Sequence, residues 1–180
     1  MRRLISFLRL ILILTAMLFG TWVVSAALLP EGILRPYFSR LFAGRVGNFA
    51  FGPVFIANLL PFFGLQFMNL FRVGKHAGGL YVLPVFWLIV GILYGTNSFV
   101  FAGEPVPFSV SVLWTRTGFT ELLAYTFGYE ASREWAVWEQ RGLWQVRRLP
   151  DRTFAPRASD WIYWISGLAL LIIAAAREVQ

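Results

Sequence analysis

An arginine and a glutamate lie within an otherwise apolar stretch, and they are the residues of this sequence best placed to do chemistry. The stretch, residues 108–129, carries Arg116 and Glu121 among large apolar side chains. Each charge costs about 2.5 to 3.5 kcal/mol near the centre of a bilayer, whereas each large apolar residue returns only about 0.3 to 0.6 kcal/mol. We therefore expect this segment to insert only with partners, either other helices of this chain or a second protein.

Glu121 lies on a narrow helical face that also carries two glycines. Gly118, Glu121, Tyr125 and Gly128 follow one another at intervals of three, four and three positions. These intervals place all four residues on one side of a helix. Such a face can pack closely against another helix while the acid accepts hydrogen bonds.

Two roles are open for the Glu121 carboxyl. In the first, it is a structural group that bonds an amide of a neighbouring helix, and the candidates are Asn58, Asn69 and Asn97. In the second, it handles a proton or an ion, and Arg116 and Glu121 line a polar path. Their five-residue separation places these two charges about 140° apart around a helix, so they do not pair as i, i+4 neighbours.

Complete catalytic and cofactor-binding sets are missing from the sequence. There is no cysteine and His76 is the single histidine, which excludes a zinc cluster and a bis-histidine haem within this chain. His76 could still ligate a haem or chlorophyll that is held jointly with another subunit. No glycine-rich phosphate loop and no serine, histidine and acid set occur. We therefore expect a protein that is not an enzyme and has no cofactor of its own.

The composition places the elements around this segment in a membrane. Hydrophobic residues make up 58% of the 180-residue chain and charged residues only 14%, a balance typical of polytopic membrane proteins. Three uncharged runs, residues 10–29, 46–71 and 77–103, each reach the ~20 residues that cross a bilayer as a helix. The chain is therefore predicted to be all-α, a polytopic integral membrane protein with a single domain, residues 1–180.

About five transmembrane helices are predicted. They cover residues 4–29, 48–71, 80–101, 108–129 and 160–177. Asn58 in the second and Asn97 in the third predicted segment are expected to be polar groups buried in the membrane. Gly91 and Gly95 form a small-xxx-small pair that permits close helix packing, and Gly118 and Gly128 give the fourth helix a similar surface.

The stretch after the fourth helix predicts a short amphipathic helix at the level of the lipid headgroups. In ASREWAVWEQRGLW, residues 131–144, apolar side chains recur at helical spacing opposite charged ones. Trp135, Trp138 and Trp144 would anchor this helix, because tryptophan rings favour the membrane–water interface. A tryptophan-rich loop that packs on the bundle is the alternative.

Basic residues are distributed unevenly between the two sides of the predicted bundle. With the N-terminus in the cytoplasm, the outer side carries only the arginines at 35, 40, 45 and 177, and most others are cytoplasmic. The positive-inside rule therefore favours a cell-membrane protein with a cytoplasmic N-terminus. Anionic lipid headgroups on that side account for the net charge of +7, so nucleic acid is not expected as a partner.

The sequence GFTELLA at residues 118–124, followed by Gly128, resembles the signature of the stage II sporulation protein M family. The resemblance implies a membrane protein of five helices that works together with other proteins and carries a glycine and a glutamate in a late helix. Arg116 and Thr117 stand where that family has Pro-His.

Two functions are consistent with these features. The first is a non-catalytic integral membrane scaffold or accessory subunit, in contact with membrane lipids and with other integral membrane subunits. The larger complex could be an energy-transducing one that carries redox groups or pigments. The second is a small transporter or channel component that uses a buried pair, Arg116 and Glu121.

Overall fold

The computed structural model describes residues 1–37, 51–98, 100–101, 104–105, 109, 113, 118–142, 145–150 and 152–178. Five long helices lie within these residues: α1 Arg2–Leu28, α2 Phe51–Asn69, α3 Gly79–Gly95, α4 Phe119–Ser132 and α5 Ala158–Glu178. Six short strands also lie within them: β1 Phe71–Val73, β2 His76–Ala77, β3 Val100–Phe101, β4 Glu104–Pro105, β5 Trp138–Gln140 and β6 Val146–Arg148.

Successive helices of the bundle run in opposite directions. The start of α1 meets the end of α4 and the start of α5, because Arg3 donates hydrogen bonds to Glu130 and Asp160. The end of α2 reaches the same place, since Asn69 donates to the Tyr129 carbonyl at 3.0 Å. The four-stranded sheet follows α2 directly, and we call this the sheet end of the bundle. α4 packs most extensively on α5, and α1 on α3.

Three of the five helices, α1, α2 and α5, are long and apolar enough to cross a membrane. α3 is apolar but has only 17 residues, and α4 has 14. At a rise of ~1.5 Å per residue, α4 is only about 21 Å long. The predicted helical class is thus confirmed, and the described residues contain three helices compatible with membrane spans, whereas five spans stay a prediction.

α3 ends earlier than the predicted helix at residues 80–101. Asn97 has a φ of 47°, in the left-handed region. Its N–H bonds the Tyr94 carbonyl at 3.1 Å, and the Ser98 N–H bonds the Leu93 carbonyl at 2.8 Å. These two bonds form a Schellman motif, which ends a helix by satisfying its last carbonyls. Asn97, predicted as a polar group within a membrane helix, therefore lies just beyond the end of α3.

α4 is displaced along the sequence from the predicted segment at residues 108–129. It begins at Phe119, and Gly118 before it has a φ of 80°, a conformation that glycine adopts without steric cost. Much of the first half of the predicted segment, including Arg116, lies outside the described residues. α1 and α5, by contrast, match their predicted bounds to within two residues.

A four-stranded sheet, which the sequence did not predict, lies at the sheet end. Its strand order is β2-β1-β5-β6, and β1 pairs antiparallel with β2 and parallel with β5, while β5 pairs antiparallel with β6. The second sheet is the antiparallel pair of β3 and β4.

The predicted amphipathic helix at residues 131–144 is therefore wrong. α4 stops at Ser132, and Trp138 begins a strand. The N–H groups of Val137 and Trp138 both donate to the Leu70 carbonyl at 3.0 Å. The edge of β1 thus offers backbone hydrogen-bond partners to this segment. The segment pairs with that edge instead of forming the backbone hydrogen bonds of a helix.

Phe62 of α2 fills a slot between α4 and α5. Its side chain is 0% exposed. A Cβ atom on Gly128 or Gly167 would lie only 2.6 or 2.7 Å from its Cε2 atom. Glycine at both positions therefore makes room for the ring, and Gly128 belongs to the packing surface predicted for the fourth helix.

Candidate functional site

A partly buried polar cluster lies at the end of the bundle opposite the sheet. α2 supplies Asn58, α4 supplies Glu121 and Tyr125, and α5 supplies Glu178. We call these four residues the Glu121 cluster. Asn58 Nδ2 donates to Glu121 Oε1, and Tyr125 Oη donates to Asn58 Oδ1 at 3.4 Å. Of the three amides that the sequence suggested for Glu121, Asn58 is the one in contact with it.

The Glu121 carboxyl also contacts a second carboxyl. The carboxyl of Glu178, in the last turn of α5, lies close enough to that of Glu121 for the two groups to interact. Two carboxyls can share a hydrogen bond only when one of them carries a proton, since a carboxylate has no donor and two carboxylates repel each other. The Glu121–Glu178 pair can therefore hold one proton.

Sequence reasoning did not find Glu178 as the partner of Glu121. Arg116, which was predicted to line a polar path together with Glu121, lies outside the described residues, and an Arg116–Glu121 path stays a prediction. A second contact between α4 and α5 lies nearby, where Arg177 Nη1 donates to Thr120 Oγ1 at 3.4 Å. Close packing of α4 on α5 brings these side chains together, and no spacing within one helix could have indicated it.

A second polar cluster joins three helices at the sheet end. Arg3 Nε donates to Glu130 Oε1 at 2.8 Å, and Arg3 Nη1 donates to Asp160 Oδ1 at 2.6 Å. Arg3 Nη2 also reaches the Glu130 carbonyl at 2.5 Å. The Glu130 side chain is 0% exposed, and its second oxygen lies 3.1 Å from Arg133 Nη1. We call Arg3, Glu130, Arg133 and Asp160 the Arg3 cluster; its two arginines balance its two acids.

Asp160 also fixes the start of α5. Its Oδ2 accepts the backbone N–H of Arg157 at 2.9 Å and the Nε1–H of Trp135 at 3.2 Å. Trp135 packs edge-on against Phe154, with ring centroids 5.0 Å apart. Trp135, predicted as an interfacial anchor, thus bonds to the Arg3 cluster. Trp144, the third predicted anchor, lies outside the described residues.

Asn69 is a fully buried junction of three helices. Its Nδ2 donates to the Tyr129 carbonyl at 3.0 Å and to Ser132 Oγ at 2.8 Å, both in α4. Its Oδ1 accepts the N–H of Gly79 at 2.9 Å and so caps the start of α3. Asn69 therefore joins α2, α3 and α4 at the sheet end and does not contribute to the Glu121 cluster.

The remaining predicted residues have clear positions. Gly91 and Gly95 of α3 face α1, because a Cβ on Gly91 would lie 2.7 Å from the Leu18 carbonyl oxygen and one on Gly95 would lie 2.5 Å from that of Trp22. His76 is exposed in β2. No group of three or more potential metal ligands occurs in the part of the chain that the structure describes, and a haem or chlorophyll ligand at His76 stays a prediction.

Comparison of this chain with protein-family models, with curated proteins and with solved structures finds no match. The resemblance to the stage II sporulation protein M family therefore stays a prediction. The function has to be argued from the two polar clusters and from the outer surface of the bundle.

Proposed function

We propose that this protein is a non-catalytic integral membrane scaffold or accessory subunit of a larger membrane protein complex. One observation carries the proposal: interior polar groups bond to one another, while large apolar side chains face outward. Leu12 of α1, Leu60 of α2 and Ile162 of α5 are 70%, 73% and 68% exposed. Surfaces of this kind face lipid or another subunit.

Most interior polar groups are already used within the bundle; among the described residues, the buried Nε1–H of Trp87 is without a hydrogen-bond partner. Arg3 satisfies two carboxylates, and the Asn69 amide bonds three partners. Removing such partners would leave buried polar groups unsatisfied. This arrangement supports a structural role for the interior and leaves the outer surface for recognition.

An aromatic patch on α2 and α5 is the best candidate for contact with another subunit. It consists of Phe63, Trp161 and Trp164. The ring centroids of Phe63 and Trp164 are 6.4 Å apart, and those of Trp161 and Trp164 are 5.7 Å apart. Phe63 is 46% and Trp161 50% exposed. Exposed aromatic side chains supply much of the binding energy at protein interfaces.

We further propose that the chain crosses the cell membrane five times, with the sheet end in the cytoplasm. The many bases at that end and the alternating helix directions support this orientation. α3 and α4 would cross as parts of the bundle, since neither is long enough to count as a span alone. The five-helix order also agrees with the family resemblance. Reporter fusions at the two termini that report the same side of the membrane would contradict five crossings.

The scaffold proposal predicts a discrete complex after gentle extraction. We expect the full chain, tagged at low expression and extracted in a mild detergent, to migrate well above its own mass with defined stoichiometric partners. Phe63→Ala/Trp161→Ala should release the chain from this complex, because it removes the exposed rings of the aromatic patch. Leu12→Ala/Ile13→Ala on α1, which removes similarly exposed apolar groups, is the matched control. A monomeric parent, or release by both double variants alike, would contradict the proposal.

The Glu121 cluster favours a second candidate function, a small transporter or channel component that moves protons. A carboxyl pair that holds one proton, beside Tyr125 and Asn58, can serve as a relay group for protons. In this case the Arg/Glu pair expected from the sequence is supplemented by a Glu/Glu pair.

Substitution of Glu121 separates the two functions. We expect Glu121→Gln to keep stability, since glutamine retains an acceptor for Asn58 and gains a donor for Glu178. Glu121→Leu should lower the free energy of unfolding by about 1 to 3 kcal/mol, because both neighbours lose their partner. Thermal unfolding in detergent measures this loss. In proteoliposomes, proton flux that Glu121→Gln abolishes would support transport, whereas absence of flux from the parent supports the scaffold.

A further inference from the structure

The register of the four-stranded sheet sorts its side chains onto two faces. Directly paired residues point to the same face, and so do residues two positions apart in one strand. One face therefore carries the rows Phe71–Trp138–Arg148 and His76–Val73–Gln140–Val146. The other face carries the row Ala77–Arg72–Glu139–Arg147. The first face is mostly apolar and aromatic, and we call it the tryptophan face.

The tryptophan face continues the outer surface of a membrane-length helix. On the sheet, Trp138 is 38% and Val146 49% exposed. Phe71 packs edge-on against Phe67 of α2, with ring centroids 5.5 Å apart, and Phe67 is 60% exposed. β1 begins at Phe71, one residue past Leu70, which directly follows α2. The sheet therefore lies where the apolar surface of α2 ends.

Two arginines at the edge of this sheet are exposed. Both lie in the edge strand β6, whose three residues are all exposed; Arg148 belongs to the tryptophan face and Arg147 to the opposite face. Neither forms an ion pair within the described ranges, whereas Glu139 of the neighbouring strand is bonded to Arg141 at 3.0 Å. Lys75, in the turn between β1 and β2, is exposed as well. The sheet thus combines an apolar face with cations that have no protein partner there.

We propose that the tryptophan face, which includes Arg148, is a binding site for anionic phospholipid headgroups, and that Arg147, on the opposite face of the same edge strand, reaches the headgroups around that edge. Guanidinium groups bind phosphate with paired hydrogen bonds, and tryptophan favours the headgroup level of a bilayer. An acidic protein would satisfy the arginines, but it would not explain why exposed Trp138 and Val146 extend the apolar surface of α2. The proposal goes beyond the scaffold function and does not depend on it.

Lipid binding to the purified full chain tests this site. Native mass spectrometry in a neutral detergent gives the affinity for palmitoyl-oleoyl phosphatidylglycerol, with the phosphatidylcholine of the same chains as the neutral probe. We expect the parent to prefer the anionic lipid. Arg147→Gln/Arg148→Gln should weaken phosphatidylglycerol binding on the order of 25-fold, since each guanidinium loses its charge-assisted hydrogen bonds to the phosphate. Arg147→Lys/Arg148→Lys should retain most of the binding.

A matched control distinguishes a specific lipid-binding site from a general effect of positive charge on the protein. Arg2→Gln/Arg9→Gln removes two exposed cations from α1, at the same end of the bundle, and should weaken phosphatidylglycerol binding less than threefold by comparison, as an order-of-magnitude expectation. Equal losses in the two double variants would overturn the proposal. Competition by glycerol phosphate at equal concentration would assign the arginines to a free phosphate. Binding of a polyglutamate peptide that requires Arg147 and Arg148, with unchanged lipid binding, would assign them to an acidic protein.

Discussion

Arg3→Ala is expected to lower the free energy of unfolding by about 3 to 5 kcal/mol, because it leaves buried carboxylates without their cation. Glu130 is 0% and Asp160 2% exposed, and Arg3 reaches them at 2.8 and 2.6 Å. Without Arg3, Arg133 is the one cation among the described residues that still pairs with Glu130. Since these contacts join α1, α4 and α5, we expect the three helices to lose their packing together, in a single cooperative unfolding transition. Tryptophan fluorescence during denaturant titration of the detergent-solubilised protein measures it.

The neighbouring arginine provides the matched control. Arg2 is exposed, and Arg2→Ala should change the free energy of unfolding by no more than about 0.5 kcal/mol. Arg3→Lys should lower the free energy of unfolding by more than Arg2→Ala and by less than Arg3→Ala, because one ammonium group cannot reproduce the planar guanidinium that binds two carboxylates. A loss from Arg3→Ala no larger than that from Arg2→Ala would mean that the Arg3 cluster does not hold the three helices together.

The double substitution Gly91→Leu/Gly95→Leu is expected to separate α1 from α3. It should lower the free energy of unfolding by about 1 to 3 kcal/mol for each site. A Cβ on Gly95 would overlap Ser25 Oγ and lie 2.5 Å from the Trp22 carbonyl oxygen. That oxygen belongs to the backbone of α1, so the clash is relieved only if the whole helix moves. Close approach through small residues is a main source of helix association in membranes. Thermal unfolding of the double variant gives the loss.

Gly20 in α1 is the control for this second prediction. An added Cβ there meets nothing within 4 Å, and Gly20→Leu should leave the free energy of unfolding within about 0.5 kcal/mol of the parent. Similar destabilisation by Gly20→Leu and by the Gly91/Gly95 double variant would show that leucine acts through the helix itself and not through the α1–α3 contact.

The largely helical class, the presence of membrane-length apolar helices and the bounds of α1 and α5 could be predicted from the sequence. An apolar segment in lipid must satisfy its backbone groups internally, so a run of sufficient length predicts a helix. The end of α3 also has a local signal that was overlooked, since Asn97 is one of the few non-glycine residues that readily adopt the left-handed conformation of a helix C-terminus.

The sheet could not be predicted in this way. Trp135 and Trp138 recur at a spacing that suits a helix, but Trp138 pairs with Phe71, which belongs to a distant part of the chain. This pairing exists because β1 leaves an unpaired edge beside the end of α4. The conformation of the segment therefore depends on a neighbour that its own sequence does not contain.

The partners of the buried charges were decided by tertiary structure as well. Its residue type alone indicated that Glu121 needs a partner in a membrane bundle, because an unpaired charge in lipid is costly. Glu121 meets Glu178, and Arg3 meets Glu130, across different helices. No spacing rule links residues on separate helices. The antiparallel packing that places the start of α1 beside the end of α4 determined which charges meet.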